Sequence, residues 1–276
     1  MTTTTAATAT AATQEPYRIA SDTWVIPEPL YAGDLGFVTI NSLLIAGAEP
    51  VIVDTGTALN RQRWLDQTFS IVDPADVRWV FLSHDDHDHV GNLLTVLDLC
   101  PRATLVTSWF SLERLRGDFE LPLNRCRWVN DGETFDAGDR SLVAARPPIY
   151  DAPTTRGLFD PRSGVYWSVD CFGSAMPEPL GDSCDLDAAM WEQMQLLCNR
   201  IISPWHTLLD QTKFDRLVDS VAALGMTAIA SAHGPAIRGP MVAEAMRLLR
   251  QLAAMEAAAL PGQADLEAQM TELGLG

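Results

Sequence analysis

Between Ser83 and Val90 the chain reads His84-Asp85-Asp86-His87-Asp88-His89, six consecutive residues that are all His or Asp. They follow directly on Trp79-Val80-Phe81-Leu82, an apolar run with the pattern of a buried strand. No other feature restricts the fold as much. A strand must deliver this loop to one edge of a sheet, and something must neutralise it there. Crowded carboxylates repel, and their pKa values climb unless cations offset the charge. In an extended loop, residues i, i+2 and i+4 face one way, so His84, Asp86 and Asp88 are expected to converge on one pocket. His89 then opens a helix and points beside Asp88. The segment reads as a metal site.

From Tyr17 onward, strand-like runs alternate with amphipathic helices. Strands are predicted at Thr23–Ile26, Phe37–Ala46, Val51–Val53 and Ala103–Thr107, and helices over Leu59–Phe69 and Val90–Leu99. The stretch from Asn124 to Asp170 is strand-rich and broken by Asp131-Gly132, Ala137-Gly138 and Ser163-Gly164 turns. Three helices dominate the last third, with expected core stripes Leu186/Met190/Leu197/Ile201, Phe214/Leu217/Val218/Val221/Leu224 and Val242/Ala245/Met246/Leu249/Leu252. Between the second and third, Thr227–Ser231 reads as a strand. The expectation is one α/β domain over 17–255, with a Thr/Ala-rich disordered tail over 1–16 and a second tail over 256–276.

Nineteen basic residues against 36 acidic ones give a formal charge of −17, which disfavours nucleic acid or an anionic membrane surface as partner. Two divalent cations would bring that charge to −13. The five cysteines, Cys100, Cys126, Cys171, Cys184 and Cys198, include no C-x-x-C pair. That pattern suggests reduced thiols in a cytoplasmic protein and excludes a rubredoxin-like or zinc-ribbon module here. The N-terminus lacks the basic and apolar regions of a secretion signal, and no apolar run is long enough to span a membrane. Nucleophile-elbow, dinucleotide-binding and P-loop sequences are absent as well.

The His/Asp segment resembles the H-x-H-x-D-H metal motif of the metallo-β-lactamase superfamily. Asp86 stands where the hydrolases place a second His. A carboxylate there, as in H-x-E-x-D-H, typifies the β-lactamase-like domain of flavodiiron proteins and of oxygen-binding di-iron proteins. Asp170, in Ser168-Val169-Asp170-Cys171-Phe172-Gly173, resembles that family's bridging Asp. His233, in Ser231-Ala232-His233-Gly234-Pro235, resembles its last His ligand. Asp54, in Val53-Asp54-Thr55-Gly56, matches the D-x-G strand end that usually braces a ligand. One position departs from the pattern: where the family places a His before the bridging Asp, this chain has Asp151, with Pro153 keeping the H-x-P context. Either Asp151 is the ligand, or Tyr150 or water fills its place.

The resemblance implies a metallo-β-lactamase-like αβ/βα sandwich, two mixed β-sheets flanked by helices. It also implies two metals: one held by His84, Asp86 and Asp151, the other by Asp88, His89 and His233, with Asp170 bridging. Four carboxylates make a divalent pair formally neutral, which favours iron (manganese or zinc being the alternatives) over the acidic bound water of hydrolytic zinc. The expected function is therefore a non-haem di-iron protein that binds or activates O2, or NO. The alternative is a metal-dependent hydrolase of an ester, lactone, thioester or phosphoester, with Asp88 orienting the nucleophile or shuttling its proton. No flavodoxin-like domain is expected after the last core helix, so electrons would come from a separate donor or from a small-molecule substrate. A homodimer is expected from the resemblance. His206 is either a packed, capping residue or a pocket-lining proton donor. His87 is expected to face solvent and Cys171 to be a buried thiol.

Overall fold

A computed structural model describes residues 13–272 and Gly274. The tail expected over 1–16 therefore lies outside the described residues as far as residue 12. The chain forms two sheets. The first runs in the order β1 (Tyr17–Ala20), β2 (Thr23–Tyr31), β3 (Phe37–Ile45), β4 (Val51–Val53), β5 (Trp79–Phe81), β6 (Thr104–Thr107) and β7 (Cys126–Trp128). The second comprises β8 (Thr134–Asp136), β9 (Ser141–Ala144), β10 (Leu158–Asp160), β11 (Val165–Trp167), β12 (Ala228–Ala230) and β13 (Ile237–Arg238), in the spatial order β13-β12-β11-β10-β9-β8. Both are mixed: β4 to β7 run parallel, as do β11 and β12. The fold is the two-sheet α/β sandwich that the sequence predicts.

Helices α1 (Arg61–Phe69), α2 (His87–Val90), α3 (Leu93–Leu99) and α4 (Trp109–Leu115) belong to the first half of the chain. Helices α5 (Ala188–Ile202), α6 (Gln211–Ala222) and α7 (Pro240–Leu249) belong to the second. A further helix, α8 (Gln263–Glu272), lies within the segment expected to be a tail. Strand side chains alternate between faces. Val53, Phe81 and Val106 therefore pack between the sheets against Phe135, Leu158 and Trp167, while Ile52, Val80 and Leu105 face Trp64, Leu97 and Leu112 on the helical side. The second sheet repeats this outward, with Phe159, Tyr166 and Ile229 against Trp191, Phe214 and Met246. Parallel strands covered on both faces read as unbroken apolar runs, as Trp79–Leu82 does. Truncating one of these aromatics to Ala costs about 3–5 kcal/mol.

Three local expectations change. Strand β2 continues past Ile26 to Tyr31 through Pro27 and Pro29. Its partner β1 ends at the Val25 pairing, so the prolines sit where their missing N–H faces an unpaired edge. The helix expected over Val90–Leu99 is split at Gly91-Asn92. A Cβ at Gly91 would stand 2.3 Å from the Ala58 nitrogen, so the loop after β4 packs directly on this break. The third change concerns α5, which buries Trp191, Gln195 and Asn199 while Met190 and Ile201 are exposed. Of the expected stripe only Leu186 packs against the core, because the helix turns Trp191 and its amides inward, the amides bonding the Phe172 backbone.

Below the site, Glu28 on β2 is 3% exposed; its Oε2 accepts from the Thr57 N–H, and its Oε1 has no partner. Burial pushes its pKa up to about 7, against the bonds from Thr57 and Asn60. A carboxyl whose pKa is raised on folding holds a proton that the unfolded chain has lost, so stability falls as pH rises from the ordinary Glu range through about 7. Glu28→Gln should therefore raise the melting temperature at pH 8 and change it little at pH 4.5. Equal shifts at both pH values would show that Glu28 is ionised throughout.

Candidate metal centre

Strands β4, β5, β11 and β12 all end at one edge, and each ends on a polar residue of the site. Beyond β4 lies Asp54, beyond β5 Ser83-His84, beyond β11 Asp170 and beyond β12 His233. Strand β3 ties the two sheets together there. The Asn41 side chain donates to the carbonyls of Ser231 and Gly234, and its N–H donates to Ala232. The Thr39 hydroxyl accepts from the Gly234 N–H at 2.7 Å.

Three groups of ligand-type atoms lie at this edge, with all atoms of a group within 4.8 Å. Two face one another: one comprises Asp88, His89 and His233, the other His84, Asp151 and Asp170. The third, of His84, Asp85 and Asp86, shares His84 with the second. Asp170 links the two that face one another. Its Oδ1 lies 3.1 Å from His89 Nε2 and 3.2 Å from His233 Nε2, while its Oδ2 is buried without any partner. Asp151 Oδ1 lies 2.9 Å from His84 Nε2 and accepts from the Thr155 hydroxyl at 3.3 Å. Asp88 Oδ2 is 3.5 Å from His233 Nε2 and 3.8 Å from His89 Nε2, at the partly exposed rim.

Two of the three imidazoles donate to a brace behind them, whereas His84 Nδ1 accepts from the Asp86 N–H at 3.0 Å. His89 Nδ1 donates to Asp54 Oδ2 at 2.9 Å, and His233 Nδ1 donates to the Thr39 carbonyl at 3.0 Å. Asp54 in turn accepts from the Ser83 N–H and hydroxyl and from Trp167 Nε1. These bonds fix the rings with Nε2 toward the cluster, the arrangement that raises ligand basicity in metal sites. The backbone is strained at the same places: Asp54, Val169 and Phe172 are the non-glycine residues with positive φ among those described, at 57°, 58° and 64°. Each costs about 1–3 kcal/mol, which the surrounding bonds must overcome.

Asp86 differs from its expected place. It lies beside His84 Nδ1, with Oδ1 at 3.6 Å and its side chain 56% exposed, whereas Asp151 approaches Nε2. The alternation that would bring His84, Asp86 and Asp88 together ends at Asp86, the N-cap of α2. From there helical geometry takes over and turns the adjacent Asp88 and His89 inward instead. His87 is exposed, as expected. His206 is wholly buried, with Nδ1 on the Leu252 carbonyl and no hydrogen bond to the cluster, so the geometry gives it a packing role. Its neighbours Ser203 and Trp205 do reach the site loop, both donating to the Tyr150 carbonyl at 2.8 Å. Sequence reasoning also missed Asp85, whose buried side chain pairs with Arg114, and the amides of Gln195 and Asn199. Nothing in their local pattern distinguishes them. Cys171 is buried, and all five cysteines are free. No described helix is long and apolar enough to cross a membrane.

A metal pair fits these residues. The buried, partnerless Asp170 Oδ2 is a polar atom that costs free energy unless a cation or donor meets it. The donors are imidazole nitrogens and carboxylate oxygens, which suit iron, manganese or zinc.

Burial opposes protonation of His89, but Asp170 and Asp54 outweigh it and hold its pKa well above the ordinary value. Burial likewise opposes protonation of His84 and His233, yet Asp151 raises the first and Asp170 the second. Burial would raise the Asp170 pKa, but His89 and His233 pull it well below the usual carboxylate range. Cations must therefore displace protons from imidazoles that keep them above the usual His range, while Asp170 stays ionised. Apparent metal affinity should rise from pH 6 to pH 8, with protons released on binding. A chelator-competition titration would check this; affinity independent of pH would contradict it.

Comparison with known proteins follows the same lines. The model described as "ODP family beta lactamase" matches residues 38–234. A putative diflavin flavoprotein A 2 of Nostoc sp. (strain PCC 7120) is 32% identical over 49% of this chain and 23% of its own length. A nitric oxide reductase of Moorella thermoacetica is 24% identical over 71% of this chain and 49% of its own. The chain thus spans a quarter to a half of these relatives. Rubredoxin oxygen:oxidoreductase of Desulfovibrio gigas superposes with a TM-score of 0.76 at 17% identity, covering 87% of this chain and 62% of that one.

Proposed function

This chain belongs to the family described as ODP family beta lactamase, and on that premise we propose that it is a non-haem di-iron protein that binds or activates O2 or NO. The observation that carries the proposal is Asp151. A carboxylate at 2.9 Å from His84 Nε2, grouped with Asp170, makes the site richer in oxygen donors than a hydrolytic zinc pair. The names of two relatives, an oxygen:oxidoreductase and a nitric oxide reductase, support the same reading.

In this reading His84 and Asp151 would hold one ion and Asp88, His89 and His233 the other, with Asp170 within reach of both groups. When bound, an iron pair supplies the electron exchange with a diatomic that no side chain offers. The chain's own part is to hold the ligands. Asp54 and the Thr39 carbonyl keep Nε2 of His89 and His233 aimed inward. Asp88, at the rim, is placed to pass a proton between solvent and the cluster. Trp167, Val169 and Phe172, which flank Asp170 in the chain, are buried. A separate electron donor and a homodimer belong to the proposal as well.

One observation favours the hydrolase alternative. With Asp86 on the Nδ1 side of His84 and absent from the two groups that Asp170 joins, three carboxylates would face two ions, so a divalent pair would keep net positive charge and a more acidic bound water. Metal content decides between the two. Protein made without added zinc should carry roughly two irons per chain and, once reduced, should consume O2 or NO. Asp151→Ala should lower iron content strongly and Asp86→Ala only slightly. A colourless protein that holds two zinc ions and cleaves simple esters would instead identify a hydrolase.

A further inference from the structure

The turn that carries Asp170 is strained on both sides, with left-handed backbone at Val169 and Phe172. Such geometry persists only where its surroundings over-determine it. On the β12 side this is done by the Ser231 hydroxyl and the Ala232 N–H, both donating to the Val169 carbonyl, and by the Ser168 hydroxyl donating to Cys171. The other side depends on α5. The Phe172 N–H donates to Asn199 Oδ1 at 3.0 Å, and the Phe172 carbonyl accepts from Gln195 Nε2 at 2.7 Å. Asn199 Nδ2 then donates to the Gln195 carbonyl at 2.6 Å and closes the network.

We infer that Gln195 and Asn199 are positioning residues for the metal centre, clamping the Phe172 peptide so that Asp170 stays aimed at both His89 and His233. The inference rests on the metal reading given above and adds two residues to it. The amides are four residues apart, one helical turn, and so share a face. They are 2% and 3% exposed. Burying two amides is costly unless each is bonded, and a face that needed only to pack would be apolar. Instead α5 leaves Met190 and Ile201 exposed and presents its amides to the turn. Without them both polar atoms of the Phe172 peptide lose their partners, and the left-handed turn relaxes. Because one Asp170 oxygen serves both imidazoles, the displacement reaches both metal positions.

The competing role is structural, in which the amides merely anchor α5 to the second sheet. Cobalt titration of the metal-stripped chain separates the two. Gln195→Met and Asn199→Leu, close in size to the residues they replace, should weaken cobalt binding by about tenfold or more, as loss of a ligand's supporting bond does elsewhere. Asn199→Asp should bind like the parent. Burial keeps the new carboxyl neutral, so it still accepts from Phe172 and donates to the Gln195 carbonyl. Leu248→Ala, a core truncation in α7, should lower the melting temperature without changing affinity. Unchanged affinity in Gln195→Met and Asn199→Leu, or equal weakening in Leu248→Ala, would overturn the positioning role alone. A parent chain that binds no cobalt would overturn the metal reading and this role together. Should Asn199→Leu fail to fold, the contrast between Gln195→Met and Asn199→Asp decides in its place.

Discussion

One carboxylate oxygen, Asp170 Oδ1, meets the Nε2 atoms of His89 and His233, and the site is built around that shared acceptor. The two histidines come from opposite sheets: His89 follows β5 of the first and His233 follows β12 of the second. For both to reach one oxygen, the strand ends must be held in register across the sandwich, to about 0.5 Å. The bonds from Asn41 and Thr39 to the β12 turn supply that register, and so does the bond from Trp167 Nε1 to Asp54. Each crosses from one sheet to the other at the edge where the cluster sits.

The cost of this arrangement is electrostatic and conformational. The buried charges of His89 and Asp170 stand together, which is tolerable only when each is bonded. The histidines hold protons more tightly than a free imidazole does, and Asp170 holds one less tightly than a free carboxyl does. The protein groups alone thus reach a balance in which protons occupy what metal ions would otherwise take. Strain concentrates in the same shell, at Asp54, Val169 and Phe172. Buried hydrogen bonds of the site surround this strained backbone.

The fold leaves the chemistry open, since one fold hosts many reactions. What narrows it is the donor set. Imidazole and carboxylate in equal number suit iron, manganese or zinc, and each carboxylate added lowers the Lewis acidity on which hydrolysis depends. Asp151 contributes such a donor, whereas Asp86 lies on the far side of the His84 ring. The balance between these two aspartates is the chemical distinction within the site.

Read from residues alone, the sequence determined much of this. The apolar runs before Asp54, His84 and His233 set the strands, because continuous burial on two faces is legible in composition. The His/Asp run announced a candidate metal site, because few other functions tolerate such charge at a strand end, and the Asp170 and His233 turns joined it only through their resemblance to a known family. It did not determine which carboxylates converge. Alternation predicted Asp86 inward, but a helix starts there, and a switch from period 2 to period 3.6 redirects every later side chain. Nor did it reveal why α5 buries Gln195 and Asn199. Their partner is the Phe172 peptide, more than twenty residues away, and it exists as a target only once the strained turn has formed. Local pattern reports which surface wants to leave water; only the assembled sandwich decides which polar atoms meet there.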